Sequence, residues 1–242
     1  MRLLDTKNFR YPLRALTLIA IAFAGTLAFT TTAQAASALT AAKYSLKSSA
    51  SRGEIRQAEK GNCERGGSSG AFRFKIGKKT KECSYRVPMV GKNLEMSATA
   101  RLFKSTPQKV RPQAFVAVNL RQASDGSRYQ LSVFPSGRRF QLKKIYPNGK
   151  IQVLKAGKGI KGINSFNQKN RVLLRAFNGV SGGSGTARLL AVVNGNKLAV
   201  VDDERGNELQ GQYSTFSIGS KKNATGALGS FVGVKMRLPD PF

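Results

Sequence analysis

Residues 129–142 read YQLSVFPSGRRFQL, two alternating segments separated by a turn. Apolar and polar residues alternate over 129–133 and again over 139–143. A period of two is typical of β-strands that bury one face. Pro135-Ser136-Gly137 supplies turn residues between the segments, so this stretch predicts an antiparallel hairpin.

The same alternation recurs along most of the chain after residue 60. It is clearest at 94–102, 116–121, 171–176 and 232–238. Asn194-Gly195 is a strong signal for a tight hairpin, because both residues accept positive φ angles. About ten to twelve strands joined by short turns exceed what one open sheet usually holds. We therefore predict an all-β fold, a two-sheet antiparallel β-sandwich.

Four of these segments carry a family resemblance. Residues 129–142 resemble the hairpin of concanavalin A-like, or laminin-G-like, jelly-roll domains. NRVLLRA at 170–176 and LAVVNGNKLA at 190–199 resemble two further segments of that superfamily, and GSFVGV at 229–234 is similar to its last strand. The resemblance implies a jelly-roll sandwich over about residues 90–238. It leaves the function open, because the superfamily includes lectins, glycanases and non-catalytic modules.

The N-terminus predicts export. Basic residues precede an uncharged apolar segment at 15–29, and Ala33-Gln34-Ala35 matches a signal-peptidase cleavage pattern. An uncleaved membrane anchor is the alternative, since no charge lies between Ala15 and Ala42. The second half of this stretch is only weakly apolar, which favours cleavage and a secreted or cell-envelope protein without a membrane span. We predict a signal peptide at 1–35, a flexible basic tether at 36–60 and the β-sandwich domain at 61–242.

Cys63 and Cys83 are the two cysteines of the chain. An exported protein folds in an oxidising compartment, where such a pair is expected to be joined. On the chain-entropy account, closing a loop of this length stabilises the fold by about 3 kcal/mol.

The composition restricts the chemistry available. The chain has no His and no Trp, which excludes Ser-His-Asp and Cys-His nucleophiles and His-ligated metals. Glycanases need a pair of carboxylates, and the sequence lacks the E-x-D-x-E motif of jelly-roll glycanases. The nearest acidic cluster, Asp202-Asp203-Glu204, lies at a hairpin exit, where solvated acidic residues are common. The alternative interpretation is that its carboxylate oxygens bind calcium. We expect no catalytic residue, no metal and no cofactor, with a glycan hydrolase, or a lyase using Tyr with Lys or Arg, as the alternative.

The positive charge is the unusual feature of the chain. It contains 41 Lys+Arg against 12 Asp+Glu; without residues 1–35 the counts are 37 and 11, a net charge of +26. Polyanions bind such surfaces through counterion release. We predict a non-catalytic module that binds an anionic cell-wall polymer or acidic polysaccharide, with nucleic acid as a non-specific partner. The alternatives are a neutral-glycan lectin, which the absence of Trp disfavours, and an ordinary solvated surface.

Alternation also identifies candidate ligand residues. It places Arg139, Lys143, Arg171 and Arg175 opposite the apolar sides of their segments, so neighbouring strands would present a cationic sheet face. Lys221-Lys222 falls in a separate loop. The predicted ligand-binding residues are Arg138, Arg139, Lys143, Lys144, Arg171 and Arg175.

Overall fold

The computed structural model describes residues 43–45, 56–58, 61–66, 71–87, 89–178, 185–222 and 224–238. These residues form fifteen strands and two short 3-10 helices, at Arg111–Gln113 and Gly206–Glu208. The strands are β1 Lys43–Ser45, β2 Arg56–Gln57, β3 Cys63–Gly66, β4 Ala71–Ile76, β5 Glu82–Val87, β6 Leu94–Leu102, β7 Ala114–Gln122, β8 Arg128–Phe134, β9 Arg139–Ile145, β10 Ile151–Gly157, β11 Asn170–Asn178, β12 Ala187–Val193, β13 Asn196–Asp203, β14 Tyr213–Ser220 and β15 Leu228–Arg237.

The strands form two sheets. Sheet A has the order β13-β12-β11-β6-β15-β4-β3, and β1 also pairs with β15; sheet B has the order β10-β9-β8-β7-β14-β5-β2. Every pairing is antiparallel. The predicted fold class, a two-sheet antiparallel β-sandwich, is confirmed, and 129–142 is the β8–β9 hairpin.

The core lies between the sheets and is built from the apolar side of each strand. Its largest cluster joins the two sheets through five aromatic rings, none more than 2% exposed: Phe72, Phe74, Tyr85, Phe216 and Phe231. The Phe74 and Phe231 ring centroids are 5.5 Å apart, and those of Phe216 and Phe231 are 4.9 Å apart. Fully burying one such side chain contributes about 1.5–3 kcal/mol, so this cluster is a major source of stability.

A disulfide links the sheets at one edge. Cys63 on β3 of sheet A is bonded to Cys83 on β5 of sheet B, with their Cα atoms 6.0 Å apart. The predicted pairing is confirmed.

Two short strands fall within the segment 36–60 that the sequence assigns to a tether. Strand β1 pairs with β15 and strand β2 pairs with β5, so the described parts of this segment are attached to the sandwich. The predicted signal peptide at 1–35 lies outside the described residues. In the part of the chain that the structure describes, no helix has the length and apolar character needed to cross a membrane.

Candidate functional site

The six predicted ligand residues do not lie on one face. Arg139 and Lys143 project from the outer face of sheet B, on β9, whereas Arg171 and Arg175 project from the outer face of sheet A, on β11. Alternation gives the direction of a side chain within its strand but does not say to which sheet the strand belongs. The six therefore cannot act as a single cationic face.

Lys144 requires a correction, because its ammonium lies inside the sandwich. It is fully buried, 2.8 Å from Asp203 Oδ2 and 2.8 Å from Glu208 Oε2, and donates to the Arg205 carbonyl. The hydroxyl of Tyr129 donates to the same Asp203 oxygen at 2.6 Å. Lys144 is a structural counterion here and is closed to a surface ligand. The alternation along β9 predicts this burial, because Lys144 lies two residues after Leu142 and so points to the same, core-facing side.

The pKa values of this buried group follow from its contacts. Burial alone would raise the pKa of Asp203, but hydrogen bonds from Lys144 and Tyr129 hold it below its ordinary value. Burial, followed by the hydrogen bond to Asp203, raises the pKa of Tyr129. Both groups therefore keep their ordinary charge states: Asp203 is ionised and paired with Lys144, and Tyr129 is neutral.

Arg175 is also engaged. Its guanidinium lies 2.6 Å from Glu95 Oε2, and Arg237 lies 2.7 Å from the other oxygen of the same carboxylate. Burial on its own would raise the pKa of Glu95, but the hydrogen bonds from Arg237 and Arg175 hold it below its ordinary value. Glu95 thus offsets one of the two positive charges of Arg175 and Arg237 on the outer face of sheet A.

The outer face of sheet B has a polar floor that sequence reasoning missed. Six polar side chains on it are completely buried: Ser84, Asn119, Gln130, Ser132, Thr215 and Ser217. Asn119 Nδ2 donates to Thr215 Oγ1 at 2.8 Å, and Ser132 donates to Gln130 at 2.9 Å. Asn119 Oδ1 has no hydrogen-bond partner among the described residues. The sequence pattern that could have predicted this floor is the alternation of small polar residues with core residues on β14 and β5.

This face is curved. Glu82 on β5 accepts hydrogen bonds from Gln130 at 2.8 Å and from Arg128 at 3.0 Å, both on β8. Strands β14 and β7 lie between them, so a flat sheet would hold these two strands about 14 Å apart. Sheet B must therefore bend around its outer face, which forms a trough.

A cleft lies at the β8–β9 hairpin end of the trough. Its volume is about 290 Å³, and it is lined by Phe134, Arg139, Phe140, Gln141, Ala156, Gly157 and Lys158; we call it the hairpin cleft. The loop after β10 rests on the hairpin turn, since the amide of Ile160 donates to the Arg138 carbonyl at 3.0 Å. A Cβ at Gly157 would lie 2.6 Å from the Phe140 ring, so glycine lets the β10 backbone pack closely on that ring at the cleft.

Cations gather around the Phe134 ring beside this cleft. The Arg139 guanidinium lies 5.0 Å from the ring centroid, and the Lys221 ammonium approaches the same ring at 5.3 Å. Arg138 is exposed in the turn, and Lys158 is exposed at the cleft wall. Among the described residues, none supplies a carboxylate to these four cations. Lys221, which the sequence assigned to a separate loop, therefore belongs to the same positive surface as Arg139.

Lys143 lies farther along the trough and is mostly buried. Its ammonium lies 5.4 Å from the Phe115 ring centroid. Burial lowers the pKa of Lys143, and the nearby carboxylate of Glu82 opposes this effect. Lys143 belongs to the trough floor rather than to the exposed rim.

The acidic cluster Asp202-Asp203-Glu204 is divided by the fold. Asp202 forms an ion pair with Arg188 on the outer face of sheet A, at 2.7 Å, whereas Asp203 points inward to Lys144. Within the described residues, no group of three or more acidic or cysteine side chains could hold a metal ion. None of the described carboxylates lines the hairpin cleft. The charged side chains that line the cleft, Arg139 and Lys158, are both cations.

Neither protein-family models nor curated proteins match the chain. Solved structures match its fold. The carbohydrate binding module CBM66 from Bacillus subtilis has a TM-score of 0.55 and 12% identity, over 75% of this chain and 94% of that chain. A Bacillus subtilis protein of unknown function with a galectin-like fold has a TM-score of 0.57 and 10% identity, over 81% and 94%.

The transglycosylase Crh5 shares the fold as well, with a TM-score of 0.56 and 6% identity, over 83% of this chain and 85% of that chain. At these identities the likeness concerns the fold alone. It confirms the jelly-roll architecture that the segments around 129–142, 170–176 and 190–199 resemble.

Proposed function

We propose that the protein is a non-catalytic module that binds anionic glycan at the cell envelope and holds an acidic chain segment in the hairpin cleft. The observation that carries this proposal is the group of cations without described acidic partners at the cleft. Glycan binding is also in keeping with the carbohydrate binding module among the proteins that share the fold.

The ring of Phe134 supports the proposal by organising two of these cations. Arg139 and Lys221 lie over its faces, so their side chains are already ordered before a ligand arrives. Ordering a long side chain on binding costs about 0.5–1.5 kcal/mol, and this cost is reduced here. Gln141 and Lys158 line the same cleft and add donors suited to carboxylate, sulfate and hydroxyl oxygens.

The alternative is a glycan hydrolase, lyase or transglycosylase, a class that Crh5 represents within the fold. A hydrolase needs two carboxylates on either side of the bond that breaks. The described carboxylates lie away from the cleft, and most are engaged by cations. We therefore expect no new reducing ends and no unsaturated products when the protein is incubated with the polysaccharides that it binds.

The test is a binding assay at two salt concentrations with polygalacturonate, a teichoic acid, double-stranded DNA and neutral dextran. The cleft variant Arg139→Glu/Lys158→Glu is compared with Lys78→Glu/Lys79→Glu, which makes the same charge change in the exposed β4–β5 turn. We expect the cleft variant to bind polygalacturonate at least about 10-fold more weakly at 50 mM salt, and the control less than about 3-fold.

Two results would overturn the proposal. Equal losses in both variants would mean that net charge, rather than the cleft, accounts for affinity. Preference for DNA over every glycan at equal charge density would assign the surface to nucleic acid. Thermal melting of each variant verifies that the fold is intact.

A further inference from the structure

A second cavity lies on the outer face of sheet A, on the opposite side of the sandwich from the trough. Its volume is about 270 Å³, and its lining residues are Ser97, Ala98, Thr99, Arg171, Gly233 and Lys235. They come from three adjacent strands, β11, β6 and β15. We call this cavity the bulge pocket.

A β-bulge creates the opening. Val232 pairs with Thr99 and Lys235 pairs with Ser97, so β15 has one residue more than β6 over this interval. Gly233 lies in the bulge with φ of 57°, and a Cβ built there would meet no atom within 4 Å. The positive φ favours glycine, and the missing side chain leaves the pocket mouth free.

Each hydroxyl of the pocket has a cation directly across the sheet. Thr99 is opposite Arg171 on β11, and Ser97 is opposite Lys235 on β15. Directly paired side chains have their Cβ atoms about 4.5–5.5 Å apart, close enough to share one ligand. Two hydroxyls, a guanidinium and an ammonium therefore surround one small space.

The two cations of the pocket are open to solvent. Arg171 and Lys235 are exposed, and no described carboxylate pairs with either, whereas Glu95 engages Arg175 and Arg237 nearby. Ser97 is 8% exposed and lines the pocket beside these cations. A mostly buried hydroxyl beside two cations that lack a described carboxylate partner favours an oxygen-rich anion.

We propose that the bulge pocket binds a phosphate or sulfate group. Arg171 offers planar paired donors, Lys235 offers a point charge, and Ser97 and Thr99 donate hydroxyl hydrogens to the remaining oxygens. This site does not depend on the hairpin cleft, which lies on the other sheet. A protein with both sites joins two polymer chains; that consequence rests on the proposed function of the cleft.

The test uses inorganic phosphate and sulfate as probes and backbone amide NMR of the full-length exported protein. We expect saturable shifts of the Ser97, Thr99 and Gly233 amides on titration. Arg171→Gln/Lys235→Gln is compared with Lys75→Gln/Lys197→Gln, two exposed lysines of sheet A outside the pocket with the same charge change. The pocket variant should bind phosphate at least about 10-fold more weakly, and the control within about 2-fold.

Three outcomes would overturn the proposal. Linear shifts spread over many lysines would mean an ion atmosphere without a site. Equal loss in the two double variants would give the same conclusion. If both double variants, Ser97→Ala/Thr99→Val and Arg171→Gln/Lys235→Gln, bound phosphate as tightly as the wild type, the pocket itself would be excluded.

Arg139→Glu/Lys158→Glu separates the two proposals. It should abolish glycan binding at the cleft and leave the phosphate shifts in place. Phosphate shifts in a wild-type protein that binds none of the glycans would refute the proposed function and support the pocket. Loss of the phosphate shifts in this cleft variant would refute an independent pocket.

Discussion

At the scale of single residues, Lys144 occupies a core-facing position of β9 and is charged. Its ammonium is the shared counterion of Asp203 and Glu208 inside the sandwich. Removing one partner of a buried ion pair is costly, because the remaining charge stays desolvated.

Lys144→Met should therefore lower the free energy of unfolding at pH 7 by about 3–5 kcal/mol. Urea denaturation measures this change. Lys150→Met, an exposed lysine just before β10, is the control and should change stability by less than about 0.5 kcal/mol. A Lys144→Met protein as stable as the wild type would contradict the role of the ion pair.

The pH dependence of stability has a definite sign at the same site. The pKa of Asp203 is lowered in the folded protein, so its contribution is present above the ordinary carboxyl pKa of about 4 and is lost as pH falls through the lower folded pKa. Wild-type stability should decline below about pH 4 for this reason.

In Lys144→Met the burial of Asp203 is no longer opposed by Lys144, so the pKa of Asp203 rises. The deficit in unfolding free energy relative to wild type should therefore shrink as the pH falls from 7 to about 4.5. A deficit that is constant over this interval would show that Asp203 is not the group responsible.

At the scale of secondary-structure elements, β10 is the edge strand of sheet B and exposes Ile151 and Val153. Such edges invite pairing with another chain. A bulge interrupts the pairing with β9 between Val153 and Lys155, and the register places Lys155 opposite core-facing Leu142. Lys155 is exposed, and a bulge and an edge lysine are two known protections of sheet edges.

Lys155→Ile should therefore increase aggregation, measured by light scattering at equal concentration and salt. Lys150→Ile, in the turn before the strand, adds the same apolar side chain outside the edge and is the control. The same scattering from both variants would mean that lost charge, rather than the strand edge, drives association.

The elements also show what the sequence could predict. Alternation identified β6, β8, β9, β11 and β15 and the hairpin turn at 135–137, because a half-buried strand imposes a period of two. It could not assign strands to sheets, because pairs such as β6–β15 and β7–β14 join residues that are roughly 90 to 140 positions apart.

The candidate site was predictable to the same extent. Arg138 and Arg139 were found because they lie in the hairpin itself. The contributions of Lys158 and Lys221 depend on loops that fold against that hairpin, and the bulge pocket depends on a register shift in β15. Neither leaves a periodic signal in the sequence.

At the scale of the whole molecule, the charge is insensitive to pH near neutrality. The chain has no His, and ordinary carboxyl and lysine pKa values lie near 4 and above 10. Affinity for polygalacturonate should therefore stay constant within about 2-fold between about pH 5.5 and 8.5 and fall steeply with salt. Binding titrations across this range test the expectation; a midpoint near pH 7 would contradict it and direct attention to Lys143, whose pKa burial lowers.

The two proposed anion sites lie on opposite faces, which also predicts bridging. A phosphate-bearing teichoic acid that fits both sites should become turbid on mixing with the protein at a stoichiometric ratio. Either Arg139→Glu/Lys158→Glu or Arg171→Gln/Lys235→Gln should reduce the turbidity while binding persists, whereas Lys75→Gln/Lys197→Gln should retain it. Undiminished turbidity in both site variants would attribute bridging to diffuse charge.

Bridging gives the disulfide a mechanical meaning. Tension between two polymers held on opposite faces would pull sheet A away from sheet B. Apart from the chain connections, the Cys63–Cys83 bond is the one covalent link between the sheets, and it lies at the β3–β5 side. Strands β13 and β10 lie at the other ends of their sheets, where non-covalent contacts such as the Lys144–Asp203 ion pair resist the load. Under force the two sheets would therefore separate first on the β10–β13 side, and the disulfide would act as the hinge.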